Sequence, residues 1–180
     1  MFDWLKHRNR TSATALELYG SSVAQARSGA FYRELGVADS FTGRFDLVML
    51  HVALLVRRLT AEGGAGKDLA RGLIECMFAG LDDDMRELGV GDLTVPKKVQ
   101  AAASTFYGRL STLEAAFAQP DAEGLEGVLT RNLTAAEGKA LQPARLAAYV
   151  RSAVSLLAAQ PIAQLQQGLV TFPKPEESMK

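Results

Sequence analysis

From Leu47 to Val56 the chain reads LVMLHVALLV, with His51 at its middle. The run shows no period-two alternation, and it places apolar side chains on every side of a helix. A helix that is apolar all round is one enclosed by neighbours rather than facing water. It is also too short to cross a bilayer, which takes ~20 residues. The run therefore predicts a buried central helix, about Gly43 to Ala61, at the middle of an all-α bundle.

Working outward, Asp39-Ser40 and Thr42-Gly43 offer caps before this helix. A preceding helix is expected from about Thr14 to Arg27, with Leu16, Tyr19, Val23 and Ala26 at three- and four-residue steps and Gly20 weakening its middle. Phe31 to Leu35 reads as one short helical turn closed by Gly36. After the Gly63-Gly64-Ala65-Gly66 joint, Leu69, Leu73, Met77, Leu81, Met85 and Leu88 form the clearest amphipathic stripe, stopped by Gly89. A fifth helix starts at Asp92 or Thr94, with Pro96 tolerated in its first turn. Its core face is Val99, Ala103, Phe106, Leu110 and Leu113. A shorter helix reaches about Leu129, residues 131–139 read as a loop or broken helix, and another helix runs from about Pro143 to Ala159. The expectation is one domain of about six to eight helices over residues 13–168, a flexible segment at 1–12 and a disordered tail at 169–180.

Across 180 residues the 20 basic and 20 acidic side chains cancel. The overall field thus gives no reason to expect nucleic acid as a partner. A single cysteine, Cys76, excludes an intrachain disulfide and fits a reducing compartment. The first ten residues lack the apolar run of an export signal. Trp4, Phe2 and Leu5 interleaved with Lys6, Arg8 and Arg10 could make a peripheral membrane contact through residues 1–10. The expected location is cytoplasmic, peripheral at the inner face of the cytoplasmic membrane.

Support for catalysis is thin. Of the two histidines, His7 sits in the terminus, and His51 lies among aliphatics, where a neutral histidine bonded to a carbonyl is the common case. Asp46 precedes His51 by five positions, so the two diverge on one helix. Glu-x-x-His and zinc spacings are absent, and Asp82-Asp83-Asp84 with Glu87 reads as a solvated face in which Arg86 pairs with Asp82. No Walker loop or nucleophile elbow occurs. No cofactor, metal or catalytic residue is assigned. The fifth helix carries Lys98 and Arg109 three turns apart on one stripe, with Lys97 beside them. Together with Arg57, Arg58 and Arg86 these form a candidate basic rim for a partner.

Between Tyr19 and Leu133 several segments recur in a known order. They are Tyr19-Gly20; Ala24-Gln-Ala-Arg27; Phe31-Tyr-Arg-Glu-Leu-Gly36; Gly43-Arg-Phe-Asp46 leading into Leu50-His-Val and Arg57-Arg-Leu59; Asp84-Met-Arg-Glu-Leu-Gly-Val-Gly-Asp92; Val95 to Val99; and Phe106-Tyr-Gly-Arg109. In these the chain resembles the ubiquinol-cytochrome c chaperone family, whose mitochondrial members help assemble respiratory complex III by attending newly made cytochrome b. The resemblance implies a helical assembly factor that is not an enzyme and holds a hydrophobic membrane-protein client, with cytochrome b as that client and a second assembly factor as a possible partner. It also implies a docking loop at Gly89, Val90, Gly91 and Asp92. The absence of a transit segment before Tyr19 points to a bacterial member. Arg57, Arg58, Arg86, Lys97, Lys98 and Arg109 are then the charged contacts, and Asp46 and His51 the polar anchors. The alternative is a domain holding quinone or haem beside His51, which requires a cavity there. A helical enzyme using His51 with Asp46 or Glu75 is a third reading.

Overall fold

The Ser40 hydroxyl accepts a hydrogen bond from the Gly43 N–H at 3.2 Å, and this N-cap starts the central helix. A computed structural model describes residues 2–118 and 122–178, with side-chain surroundings for 12–118 and 124–177. Its helices are α1 (Phe2–Ala26), α2 (Gly29–Arg33), α3 (Phe41–Ala61), α4 (Gly64–Glu87), α5 (Val95–Ala118), α6 (Ala122–Asn132), α7 (Pro143–Ala159), α8 (Ile162–Leu165) and α9 (Pro175–Ser178). Among the described residues there is no strand, only a single antiparallel bridge between Val37 and Ala135. The chain is thus an all-α bundle, and every residue of α3 from Asp46 to Val56 is buried.

Helix α3 packs against α1, α4 and α7; α5 packs mainly on α4, where Phe78 meets Phe106, and more lightly on α3, and α6 bridges α5 and α7. Gly72 meets Ala15, and Gly80 meets Tyr19, so α1 and α4 run in the same direction. The α4 stripe buries Leu69, Leu73, Met77 and Leu81, as its period requires. Leu88, read as part of that stripe, is instead 65% exposed, because α4 outruns the core at this end. The links before α3 and after α6 are zipped together: Ala38 N–H bonds to Thr134 O at 2.8 Å and Ala136 N–H to Gly36 O at 2.9 Å. Gly36 has φ 77°, and a Cβ there would stand 2.3 Å from the Ala140 carbonyl oxygen, so only glycine fits.

Several boundaries differ from the sequence reading. Helix α1 begins at Phe2 rather than near Thr14, so the segment expected to be flexible has a helical backbone. The side chains of residues 1–10, read as a membrane contact, lie outside the described side chains. Helix α4 already starts at Gly64 within the glycine joint, and α6 continues to Asn132. The largest correction is the tail expected to be disordered from 169. Phe172 packs against the core, the Pro173 carbonyl accepts from Gln25 at 2.8 Å, Pro175 is buried, and α9 follows. Residues 170–176 form a strap, held by contacts with α1, α3 and α7 that no local pattern reveals. No described helix is long and apolar enough to cross a membrane.

Candidate functional site

His51 is fully buried, and its two ring nitrogens are both engaged. Nδ1 lies 2.7 Å from the Leu47 carbonyl oxygen, which can only accept, so Nδ1 carries the proton and Nε2 accepts from the Tyr149 hydroxyl at 2.7 Å. The Tyr149 oxygen in turn accepts from Gln25 Nε2 at 3.0 Å. Burial holds the imidazole at a pKa of about 4, against the Leu47 bond that favours its charged form, and pushes the Tyr149 hydroxyl up. Phe31, Tyr149 and Phe172 meet the His51 ring edge to face at 5.5, 5.7 and 5.1 Å. His51 is therefore an interior anchor with no valence left for haem iron or a quinone oxygen.

Asp46 is also buried but serves different partners. One carboxylate oxygen takes Arg109 at 2.6 Å, and the other accepts from the Thr134 hydroxyl at 2.6 Å and the Thr134 N–H at 3.0 Å. Asp46 and His51 thus diverge, and Arg109, read as a partner contact, is committed to α3. The other predicted basic residues do not converge on one rim. Arg57 pairs with Glu114 at 3.1 Å and lies over the Phe117 ring. Arg58 pairs with Glu62 and donates to the Leu157 and Gln160 carbonyls, which end α7, the bonding that a helix C-terminus favours. Both line a groove of about 640 Å³ between α3, α5 and α7. Arg86, at the far end of the bundle, bridges Asp82 and Asp92. Lys97 and Lys98 are exposed at the start of α5 and have no ion pair among the described residues.

The loop Gly89–Asp92 closes α4. Val90 N–H reaches the Met85 carbonyl and Gly89 N–H the Arg86 carbonyl, with Gly89 at φ 78°: the paired bonds of a Schellman turn. Beside it, Leu93 is 90% exposed.

A second groove, of about 520 Å³, opens where the C-terminal ends of α1 and α4 meet the start of α3. Tyr19 and Val23 line it from α1 with Arg27 just past its end, Tyr32 from α2, Phe41, Arg44, Phe45 and Val48 from α3, and Asp84 and Glu87 from α4 with Leu88 at its C-cap. Phe41 and Leu88 are exposed at it. Burial raises the hydroxyl pKa of both Tyr19 and Tyr32, with the nearby carboxylates of Asp84 and Asp39 acting the same way. Sequence reasoning named Asp84 and Glu87 only as a solvated face and did not find this groove. The available signal was the set of short segments quoted above, since five of them contribute its walls.

A model described as ubiquinol-cytochrome C chaperone matches residues 33–172. The chain belongs to the ubiquinol-cytochrome c chaperone family. It is 26% identical over 117 residues to ubiquinol-cytochrome c reductase complex assembly factor 1 of Mus musculus, covering 65% of this chain and 39% of that protein. The Xenopus laevis protein of the same name is 24% identical over 119 residues, 66% of this chain and 59% of its own length. The chain thus spans well under two thirds of these relatives. Among solved structures it is similar to the Cbp3 homolog from Brucella abortus, with a TM-score of 0.83 and 31% identity over 98% of this chain and 99% of that one. The family match takes in the α3 and α4 walls of the groove and the strap through Phe172, while Tyr19, Val23 and Arg27 lie before it.

Proposed function

We propose that this chain is an assembly chaperone for ubiquinol-cytochrome c reductase which covers an apolar segment of a membrane-protein client, newly made cytochrome b, until it joins its other subunits. The observation that carries the reading is the 520 Å³ groove at the ends of α1 and α4. Its size lies within the ~300 to 1,000 Å³ of ordinary binding clefts. Its walls come from five of the segments that give the chain its family likeness. Phe41 and Leu88 give the groove an exposed apolar mouth, a surface that a client segment can cover.

Covering a client in this way takes no nucleophile. The Gly89–Asp92 loop joins Leu88 to Leu93, and Lys97 and Lys98 follow exposed in the first turn of α5, where they can meet polar loops that flank a client helix. Arg57, Arg58, Arg86 and Arg109 act in this reading through the shape of the bundle, since each is already paired. The quinone or haem alternative has no observation in its favour, because the His51 ring is saturated on its nitrogens and covered by Phe31, Tyr149 and Phe172.

The test is affinity purification of the tagged chain from gently solubilised native cells, with mass spectrometry and an absorbance spectrum of the eluate. Recovery of cytochrome b without the later subunits of the complex is the expected result. A haem band from protein free of cytochrome b would revive the cofactor reading, and absence of cytochrome b would sink this one.

A further inference from the structure

The groove at the ends of α1 and α4 has walls of unequal electrostatic standing. Asp84 and Glu87 are three residues apart and face it together from α4. Neither has an ion pair among the described residues. They also stand in the last turn of α4, where the helix's own carbonyl end is negative and carboxylates are disfavoured. Asp83 and Glu87 add a like-charged pair four residues apart. Arg86, the nearest cation in sequence, is taken up by Asp82 and Asp92.

On the opposite wall Arg44 is held by Asp39 at 2.6 Å, while Arg27, just past the end of α1, has no ion pair among the described residues and stands by terminal carbonyls that favour a cation. What the groove lacks is positive charge on its α4 side, next to the apolar surface of Val23, Phe45, Val48 and Leu88. Transmembrane helices carry that combination at one end, because Lys and Arg follow their apolar residues on the cytoplasmic side.

We propose that this groove takes the basic-flanked end of a transmembrane helix, its last apolar residues against Val23, Phe45 and Leu88 and the following Lys or Arg at Asp84 and Glu87. The proposal rests on the chaperone reading and specifies which part of a client is held. It makes the site selective by flank charge, so that it discriminates between the two ends of the same helix.

Two fluorescent peptides test it, sharing one Leu/Ala segment that is followed by lysines in the first and glutamates in the second, with binding to the full chain read by anisotropy at low salt. The Lys-flanked peptide should bind about five- to tenfold more tightly, the size expected of two rim charge pairs. Added salt should shrink that preference. The double variant Asp84→Lys/Glu87→Lys should invert it, and Leu88→Glu should weaken both peptides. All three positions are exposed, so the fold should survive, and if the double variant misfolds the wild-type comparison decides alone. Equal affinity for the two peptides, or a preference that outlasts the charge reversal, overturns the proposal while leaving the chaperone reading standing. Binding of neither peptide removes the groove assignment, and cytochrome b recovery with the tagged chain then decides the chaperone reading separately. Self-association abolished by Leu88→Glu would assign the groove to a second copy and likewise overturn the proposal.

Discussion

Tyr149 ties together a side chain of α1 and a side chain of α3. Its hydroxyl donates to His51 Nε2 and accepts from Gln25, so Tyr149→Phe leaves a buried ring nitrogen without a donor. The expected loss is about 1–3 kcal/mol of unfolding free energy, the range for an orphaned buried polar group, read by urea denaturation at neutral pH. His51 adds a pH dependence. Its folded pKa of about 4 lies below the ~6.5 of the unfolded chain, so the folded state binds fewer protons. Stability is full above pH 6.5, and this residue should withdraw about 3 kcal/mol as pH falls from there through 4, at 1.36 kcal/mol per unit. Urea midpoints from pH 7 to pH 4 should fall less steeply in His51→Gln than in the wild-type chain. The neutral, carbonyl-bonded state of His51 was legible in the sequence, because an imidazole among Leu, Met and Val has few other options. The partners of Asp46 were not, since Arg109 and Thr134 are 63 and 88 residues away.

Among the elements, those with strong local signals appear where their patterns place them. Ser40 caps α3, and Leu69, Leu73, Met77 and Leu81 bury one face of α4. The elements that differ lacked such signals. The polar sequence before Thr14 and the helix-weakening Gly20 hid the true length of α1, and Pro173-Lys-Pro-Glu-Glu reads as solvated chain when its contacts are unknown. The strap is the sharpest case, because its order depends on Phe172 at the His51 ring and Gln25 at the Pro173 carbonyl. Phe172→Ala should lower stability by ~2 kcal/mol, less than a fully buried phenylalanine would, since its ring is half-buried. The same change should speed amide hydrogen exchange in α9 while α4 stays protected, and equal exchange in both would show that the strap is not a separate unit. The candidate groove was illegible for a related reason. Its walls come from four elements, and nothing in any one of them records that Tyr19, Tyr32, Phe45 and Leu88 meet.

At the scale of the whole molecule, α3 packs against α1, α4, α5 and α7, and α4 packs directly on α5 as well. One core cluster draws on all of these helices, so loss of helical signal and loss of near-ultraviolet aromatic signal should coincide in one transition. Two separate midpoints would contradict this sharing. The carboxylate of Asp46 sits on the same helix and ties it to α5 and to the link after α6. Loop closure over such separations comes late, after the intervening helices have docked. In kinetic terms Asp46 thus stands on the native side of the folding barrier. Stopped-flow measurements on Asp46→Ala should show unfolding several-fold faster and refolding little changed, as for an interaction not yet made in the transition state. By that expectation Asp46 sets the lifetime of the folded chain more than the speed at which it forms.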